Sequence, residues 1–264
     1  MSAPDLPTFP ASQQKSVAAI LRAAGCVFAE DEARLLLHTA RSLDELDAMV
    51  DRRVAGEPLE PVLGWVEFCG LRIHIDSGVF VPRRRTEFLA RQAGSLVDSG
   101  SVVVDMCCGS GAVGTVLQST LDAVDLYAVD VEPAAVRCAR RNITPPERVL
   151  EGDLFEPLPT ELLGRVDVVV ANAPYVPTDS IRLMPPEARL HEPLVSLDGA
   201  TDGLDLQRRI IADAAPWLRP GGCLLVETST EQVEMTVETF TRGGFLTRVA
   251  TYSETASTVV IGQC

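Results

Sequence analysis

Four short, almost unbroken apolar runs punctuate the second half of the chain, over residues 102–106, 126–129, 166–171 and 223–227. Runs of this kind mark strands buried on both faces, as in a parallel sheet with helices packed on either side. Between them, residues 133–142 and 206–218 carry apolar positions at helical spacing, and 245–250 with 257–261 add two strands near the end. This rhythm predicts a doubly wound α/β sheet from about residue 97, with a leading helix over 86–96, so that one α/β domain spans 86–264.

The first part of the chain has a different period. Val17, Ala18, Ile20 and Leu21 predict a helix over 12–23, and Leu35, Leu36 and Leu37 give a buried face to a second over 29–40. Ser42 is placed to cap a third, with Glu45 completing a capping box. Helices this short bury their stripes only against one another, so residues 1–62 predict a small helical domain. Its first ten residues, with Pro4, Pro7 and Pro10, are expected to be a frayed lead-in. From Trp65 to Ile75 apolar and polar residues alternate and turn at Gly70, which predicts a β-hairpin within a 63–85 linker. No internal repeat or low-complexity tract interrupts this order.

Composition narrows the function. With 46% hydrophobic and 23% charged residues, the 264-residue chain is neither disordered nor fibrous. No apolar run approaches a membrane span, and the first residues lack the basic start and apolar centre of a leader, so a cytoplasmic protein is expected. The balance of 23 basic to 37 acidic residues, a net charge of −14, argues against a general nucleic-acid binder, although Arg83, Arg84 and Arg85 form a local basic patch. Seven cysteines without a CxxC pair and three scattered histidines predict reduced thiols and no metal site.

The chemistry gathers where the predicted strands end. After 102–106 come Cys107, Cys108, Gly109, Ser110 and Gly111, with Gly114 beyond, a glycine-rich turn that lets a ligand approach the backbone above a helix start. Asp130 ends the second strand, where an acidic residue accepts hydrogen bonds from ribose hydroxyls, and Val131 follows it. Those features suit a nicotinamide dinucleotide as well as S-adenosylmethionine. Asp105 is a turn cap or a contact to the methionine end of the latter. Asp153 is placed to bond an adenine amine, with Leu154 or Phe155 packed on the ring.

The fourth strand runs into Asn172-Ala173-Pro174-Tyr175. Here the chain resembles class I S-adenosylmethionine-dependent methyltransferases whose fourth strand ends in Asn-Pro-Pro-Tyr. Among them it is similar to the HemK-type protein-(glutamine-N5) methyltransferases, through Gly64-Trp65-Val66-Glu67-Phe68, Pro82-Arg83-Arg84-Arg85-Thr86-Glu87, His191-Glu192-Pro193, Asp202-Gly203-Leu204-Asp205 and Gly221-Gly222. Cys107 replaces the family's first glycine and Ala173 its first motif proline. The resemblance implies a Rossmann-like seven-stranded fold, S-adenosylmethionine as cofactor, and methylation of a glutamine amide in a protein, a peptide-chain release factor being the suspected partner. A monomer is expected, although the sequence does not fix the oligomeric state, and the charge and apolar runs predict no nucleic-acid or membrane partner. An amide nitrogen is a weak nucleophile that needs orientation more than a base. Asn172 and the Ala173 carbonyl would accept its two N–H groups, Pro174 would stiffen the turn and Tyr175 would pack on the amide. N6-adenine methylation and a catalytically inactive S-adenosylmethionine-binding homologue are the alternatives.

Overall fold

The computed structural model describes residues 9–120 and 123–264. Most of the expected lead-in, residues 1–8, lies outside the described residues. Four helices follow, α1 (Ala11–Ala23), α2 (Ala29–Thr39), α3 (Leu43–Val54) and α4 (Leu59–Leu63). Leu21, Leu36 and Leu46 are fully buried in the cluster that joins them. The Ser42 hydroxyl accepts the Glu45 N–H (3.1 Å) as expected, but the Glu45 carboxylate takes the N–H of Arg41 (2.6 Å) rather than that of Ser42. Arg53, buried beneath these helices, bonds Glu32 (2.7 Å) and reaches Glu187 (2.8 Å) in the second half of the chain. Losing one partner of such a pair leaves a buried charge uncompensated.

The hairpin is β1 (Trp65–Phe68) and β2 (Leu71–His74), in register from Trp65↔His74 to Phe68↔Leu71. Its two turn residues, Cys69 and Gly70, both have positive φ (51° and 76°), the combination a two-residue hairpin turn demands. Phe68 and Ile73 are buried in the same cluster as residues of the main sheet, so the hairpin packs onto that domain.

The remaining elements are α5 (Thr86–Gly94), β3 (Val102–Met106), α6 (Ala112–Thr120), β4 (Asp125–Asp130), α7 (Pro133–Ala139), β5 (Val149–Glu151), β6 (Val166–Ala171), α8 (Pro186–His191), α9 (Asp205–Ala214), β7 (Leu218–Thr228), α10 (Val233–Arg242), β8 (Leu246–Tyr252) and β9 (Ser257–Gln263). The sheet order is β5-β4-β3-β6-β7-β9-β8, with β9 antiparallel to β7 and to β8. This is the Rossmann-like class I methyltransferase arrangement. The central strands read as unalternated apolar runs because both faces are covered. On β6, Val168 and Val170 face one core while Val169 and Ala171 face the other. Strand β7 begins at Leu218, earlier than the apolar run from 223, because Pro220-Gly221-Gly222 is taken into it across a pairing irregularity between Val166 and Val168. The strand order reverses between β3 and β6, which is where ligands bind in open α/β sheets, beyond the carboxyl ends of the strands.

Candidate active site

The turn after β3 is stitched to β4 by Asp130. One carboxylate oxygen accepts the Gly109 N–H (2.8 Å), the other that of Glu132 (2.9 Å), and each keeps a further lone pair. Burial pushes the Asp130 carboxyl up, and the backbone donors counter it. Asp130, Cys107, Val131, Asp153, Leu154 and Pro174 line one cavity at the strand ends. Cys107 stands there with φ of 57°, a conformation that favours glycine. Burial raises the Cys107 and Cys108 thiols well above the usual cysteine range, so both are neutral at pH 7.

Cys108, Gly109, Ser110 and Gly111 form the back of this turn and do not line the cavity. Gly111, at φ of 75°, has no room for a side chain, since a Cβ would meet Ile143 at 2.8 Å. Asp105 sits beneath the turn, 3% exposed, where its Oδ2 accepts the Gly114 N–H of α6 (2.8 Å). Burial pushes it up to about 7. The bond to the Gly114 N–H makes Asp105 a cap of the turn.

On the far wall, Asp153 pairs with Arg209 of α9 (2.6 Å), which leaves Oδ1 for another donor. Leu154 lines the cavity with φ of 49°, and that kink sends Phe155 the other way. Phe155 is a core residue stacked on Trp217 (centroids 5.8 Å apart), not a cavity residue. Leu206 of α9 completes the lining, with Val195 and Ser196 from a loop that carries no periodic signal. The enclosed volume is small, about 60 Å³, with the turn at Val195 and Ser196 forming part of its wall.

A second cavity opens on the other side of Pro174. Asn172, Ala173, Pro174 and Tyr175 all line it, with Phe80 and Arg85 opposite. Pro174 and Ser196 belong to both cavities, so the 172–175 turn is their common wall. The Asn172 side-chain nitrogen donates to the Thr86 hydroxyl (3.3 Å), which leaves the carbonyl oxygen for an incoming N–H. The Tyr175 hydroxyl donates to Glu227 at the end of β7 (3.1 Å), and Arg85 both pairs with that carboxylate (3.3 Å) and lies over the Tyr175 ring (5.3 Å). Burial and Glu227 push the Tyr175 hydroxyl up, so it stays protonated.

Two sequence motifs acquire a physical role here. Glu192, buried, binds Arg83 (2.6 Å) and accepts the Val81 N–H (3.2 Å), fixing the loop before α5 that carries the basic patch. Gln232 donates to the carbonyls of Tyr175 and Asp202 (2.9 Å each), with Gly203 packed against both. A cavity of about 1060 Å³, lined by Glu67, Cys69, Arg84 and Arg91 among others, contains none of these groups. Among the described residues no cluster suits a metal ion, and no helix is long and apolar enough to cross a membrane.

Residues 70–184 match the methyltransferase small domain family. The release factor glutamine methyltransferase of Geobacter sulfurreducens is 38% identical over 203 residues, 75% of this chain and 69% of that protein. The chain belongs to the release factor glutamine methyltransferase family. It is therefore an S-adenosylmethionine-dependent methyltransferase of the HemK type. A further relative, the 4-amino-L-phenylalanine/4-methylamino-L-phenylalanine methyltransferase of Streptomyces pristinaespiralis, is 37% identical over 192 residues, 70% of this chain and 65% of that one. In fold, the chain resembles a methyltransferase from Pyrococcus furiosus, with TM-score 0.55, 15% identity and coverage of 74% and 89%.

Several residues of the site escaped the sequence. Thr86 sits in the Pro82–Glu87 motif, where nothing local shows that its hydroxyl meets Asn172. Glu227 carried a signal that was available, since a polar residue at the carboxyl end of a buried parallel strand stands at the ligand edge.

Proposed function

We propose that this chain methylates the side-chain amide nitrogen of a glutamine in a protein, and that the protein is a peptide-chain release factor. The observation that carries the reading is the shared wall. Pro174 of the Asn172–Tyr175 turn lines both cavities, as does Ser196, so an acceptor held in one lies next to a donor held in the other. The first cavity suits S-adenosylmethionine. Asp130 offers lone pairs to ribose hydroxyls, Asp153 Oδ1 an acceptor for an adenine amine, and Val131 and Leu154 apolar surface for the ring. When bound, that donor supplies an electrophilic methyl group on a positively charged sulfur.

The chain's own part is orientation. Asn172, its nitrogen tied to Thr86, presents its oxygen to one acceptor N–H, and the Ala173 carbonyl takes the other. The acceptor nitrogen would thereby be held with its lone pair toward the methyl group that the donor would supply, and would give up one N–H proton to water. Tyr175 and Pro174 wall the flat amide. Holding the reactants in attack geometry and excluding water account for several powers of ten in rate without a general base. Ala173 keeps the acceptor carbonyl that the family's proline would offer.

The Streptomyces relative supports a second reading, because an arylamine is also a planar nitrogen with a delocalised lone pair. The test is incubation with methyl-labelled S-adenosylmethionine and, separately, a bacterial release factor, 4-amino-L-phenylalanine and DNA. Label on a release-factor glutamine is expected. Label on the amino acid alone would transfer the reading to arylamines, and label on DNA alone would support the adenine alternative against the net charge.

A further inference from the structure

Helix α9 meets the donor side with two residues of different kind. Leu206 supplies apolar lining to the cavity, and one turn on, Arg209 donates to Asp153 Oδ2 (2.6 Å). Positions three apart share a face of a helix. The helix itself is held, since Gln207, buried, donates to the Glu227 carbonyl (3.1 Å) and accepts from the Thr236 hydroxyl (3.2 Å). Across the pair, the backbone around Asp153 is fixed as well. The Gly152 N–H donates to the Asp130 carbonyl (3.0 Å), and the Asp153 carbonyl accepts the Glu156 N–H (3.1 Å). What the backbone leaves free is the Asp153 side chain.

An ion pair as open as this one, with the Arg209 and Asp153 side chains 52% and 42% exposed, adds little to folding stability. Its consequence is geometric. A guanidinium bond to a carboxylate is charge-assisted and directional, so with Oδ2 taken the carboxylate keeps one orientation where it would otherwise turn freely toward water. Asp153 lines the cavity beside Asp130, Val131 and Leu154. A carboxylate only accepts, so it takes the amine at C6 of adenine and rejects the carbonyl oxygen at C6 of hypoxanthine. How sharply it chooses depends on whether it is held or free to swing. We propose that Arg209 is a positioning residue for the methyl donor, holding Asp153 so that the cavity selects an adenine over a hypoxanthine nucleoside. This rests on the function proposed above, in which Asp153 accepts from the adenine amine.

The test measures the affinity of S-adenosylhomocysteine and S-inosylhomocysteine by calorimetry, the two differing at the purine C6 and the adjoining N1. The proteins are the parent, Arg209→Met, Asp153→Ala and the Asp153→Ala/Arg209→Met double variant. The parent is expected to prefer the adenosyl ligand by about 10- to 100-fold, the range of one hydrogen bond to a charged group. Arg209→Met should cut that preference by at least about fivefold through weaker adenosyl binding, with the inosyl ligand held within about twofold of the parent. Methionine keeps an apolar stem, and thermal unfolding checks that the variant is folded. The double variant should match Asp153→Ala, because Arg209 acts only through that carboxylate. Parental preference in Arg209→Met, an equal loss for both ligands, or a double variant weaker than Asp153→Ala would each overturn the proposal. If Arg209→Met fails to fold, Arg209→Gln carries the same expectations. Should Asp153→Ala keep the parental preference, the adenine contact of Asp153 itself fails; an unselective Asp153→Ala beside an unaffected Arg209→Met removes only the positioning role.

Discussion

Replacing Gly203 by alanine probes whether the acceptor turn is held from behind. Gly203 has φ of 81°, and a Cβ there would stand 2.3 Å from Gln232 Nε2 and 2.4 Å from the Tyr175 carbonyl oxygen. Neither neighbour can yield freely, since Gln232 is 5% exposed and bridges the carbonyls of Tyr175 and Asp202. The left-handed backbone costs roughly 1–2 kcal/mol with a side chain, and overpacking adds about 1–3 kcal/mol. The sum, roughly 2–5 kcal/mol, lowers the melting temperature by on the order of 5–15 °C in a chain of this size. The turnover effect should exceed the loss of folded protein, because the displaced Tyr175 carbonyl belongs to the turn that bears Asn172 and Pro174. A shift near 1 Å costs about 100-fold in rate. Thermal unfolding and initial rates at a temperature where the variant is folded test both parts. A variant that melts within about 2 °C of the parent and turns over at its rate would refute the reasoning.

Three further consequences concern the donor side. Asp105, pushed up to about 7 in the folded state, stays protonated over a range where the unfolded chain ionises, so folding stability falls as pH rises from about 4 to about 7 and then levels off. Asp105→Asn keeps the acceptor for Gly114 and should be more stable than the parent at pH 8 by a few kcal/mol, with the gap closing toward pH 4 in denaturant titrations; equal stability at both pH values would contradict it. The same variant should bind S-adenosylhomocysteine within about threefold of the parent by calorimetry, because Asp105 does not line the donor-side cavity. Cys107→Gly should raise stability by about 1 kcal/mol through relief of the positive φ, whereas Cys107→Val should lower it, and a glycine variant that melts below the parent would count against strain at this position.

Much of this architecture is written in local patterns. Strands β3 and β6 have the limits of their apolar runs, because burial on both faces removes polar residues until the chain leaves the sheet. The acceptor turn and the Asp130 clamp were legible for the same reason, being the first polar positions after such runs. Helix α10 did not stand out, although Val233, Val237 and Phe240 share a face, because threonine and glutamate fill the rest of its sequence. Which of Leu154 and Phe155 meets the cavity depends on one backbone angle at Leu154 that no periodicity encodes. Likewise, Arg85 and Tyr175 converge on Glu227 across sequence separations that local pattern cannot span.

The central claim is that the Asn172 carbonyl orients the acceptor nitrogen rather than holding the donor. Asn172→Ala in single-turnover methyl transfer to a release factor, set beside donor binding by calorimetry, tests it most directly. Transfer should fall by at least about 100-fold while donor affinity stays within a few-fold. Transfer at the parental rate, or a loss explained wholly by failed donor binding, would contradict the claim.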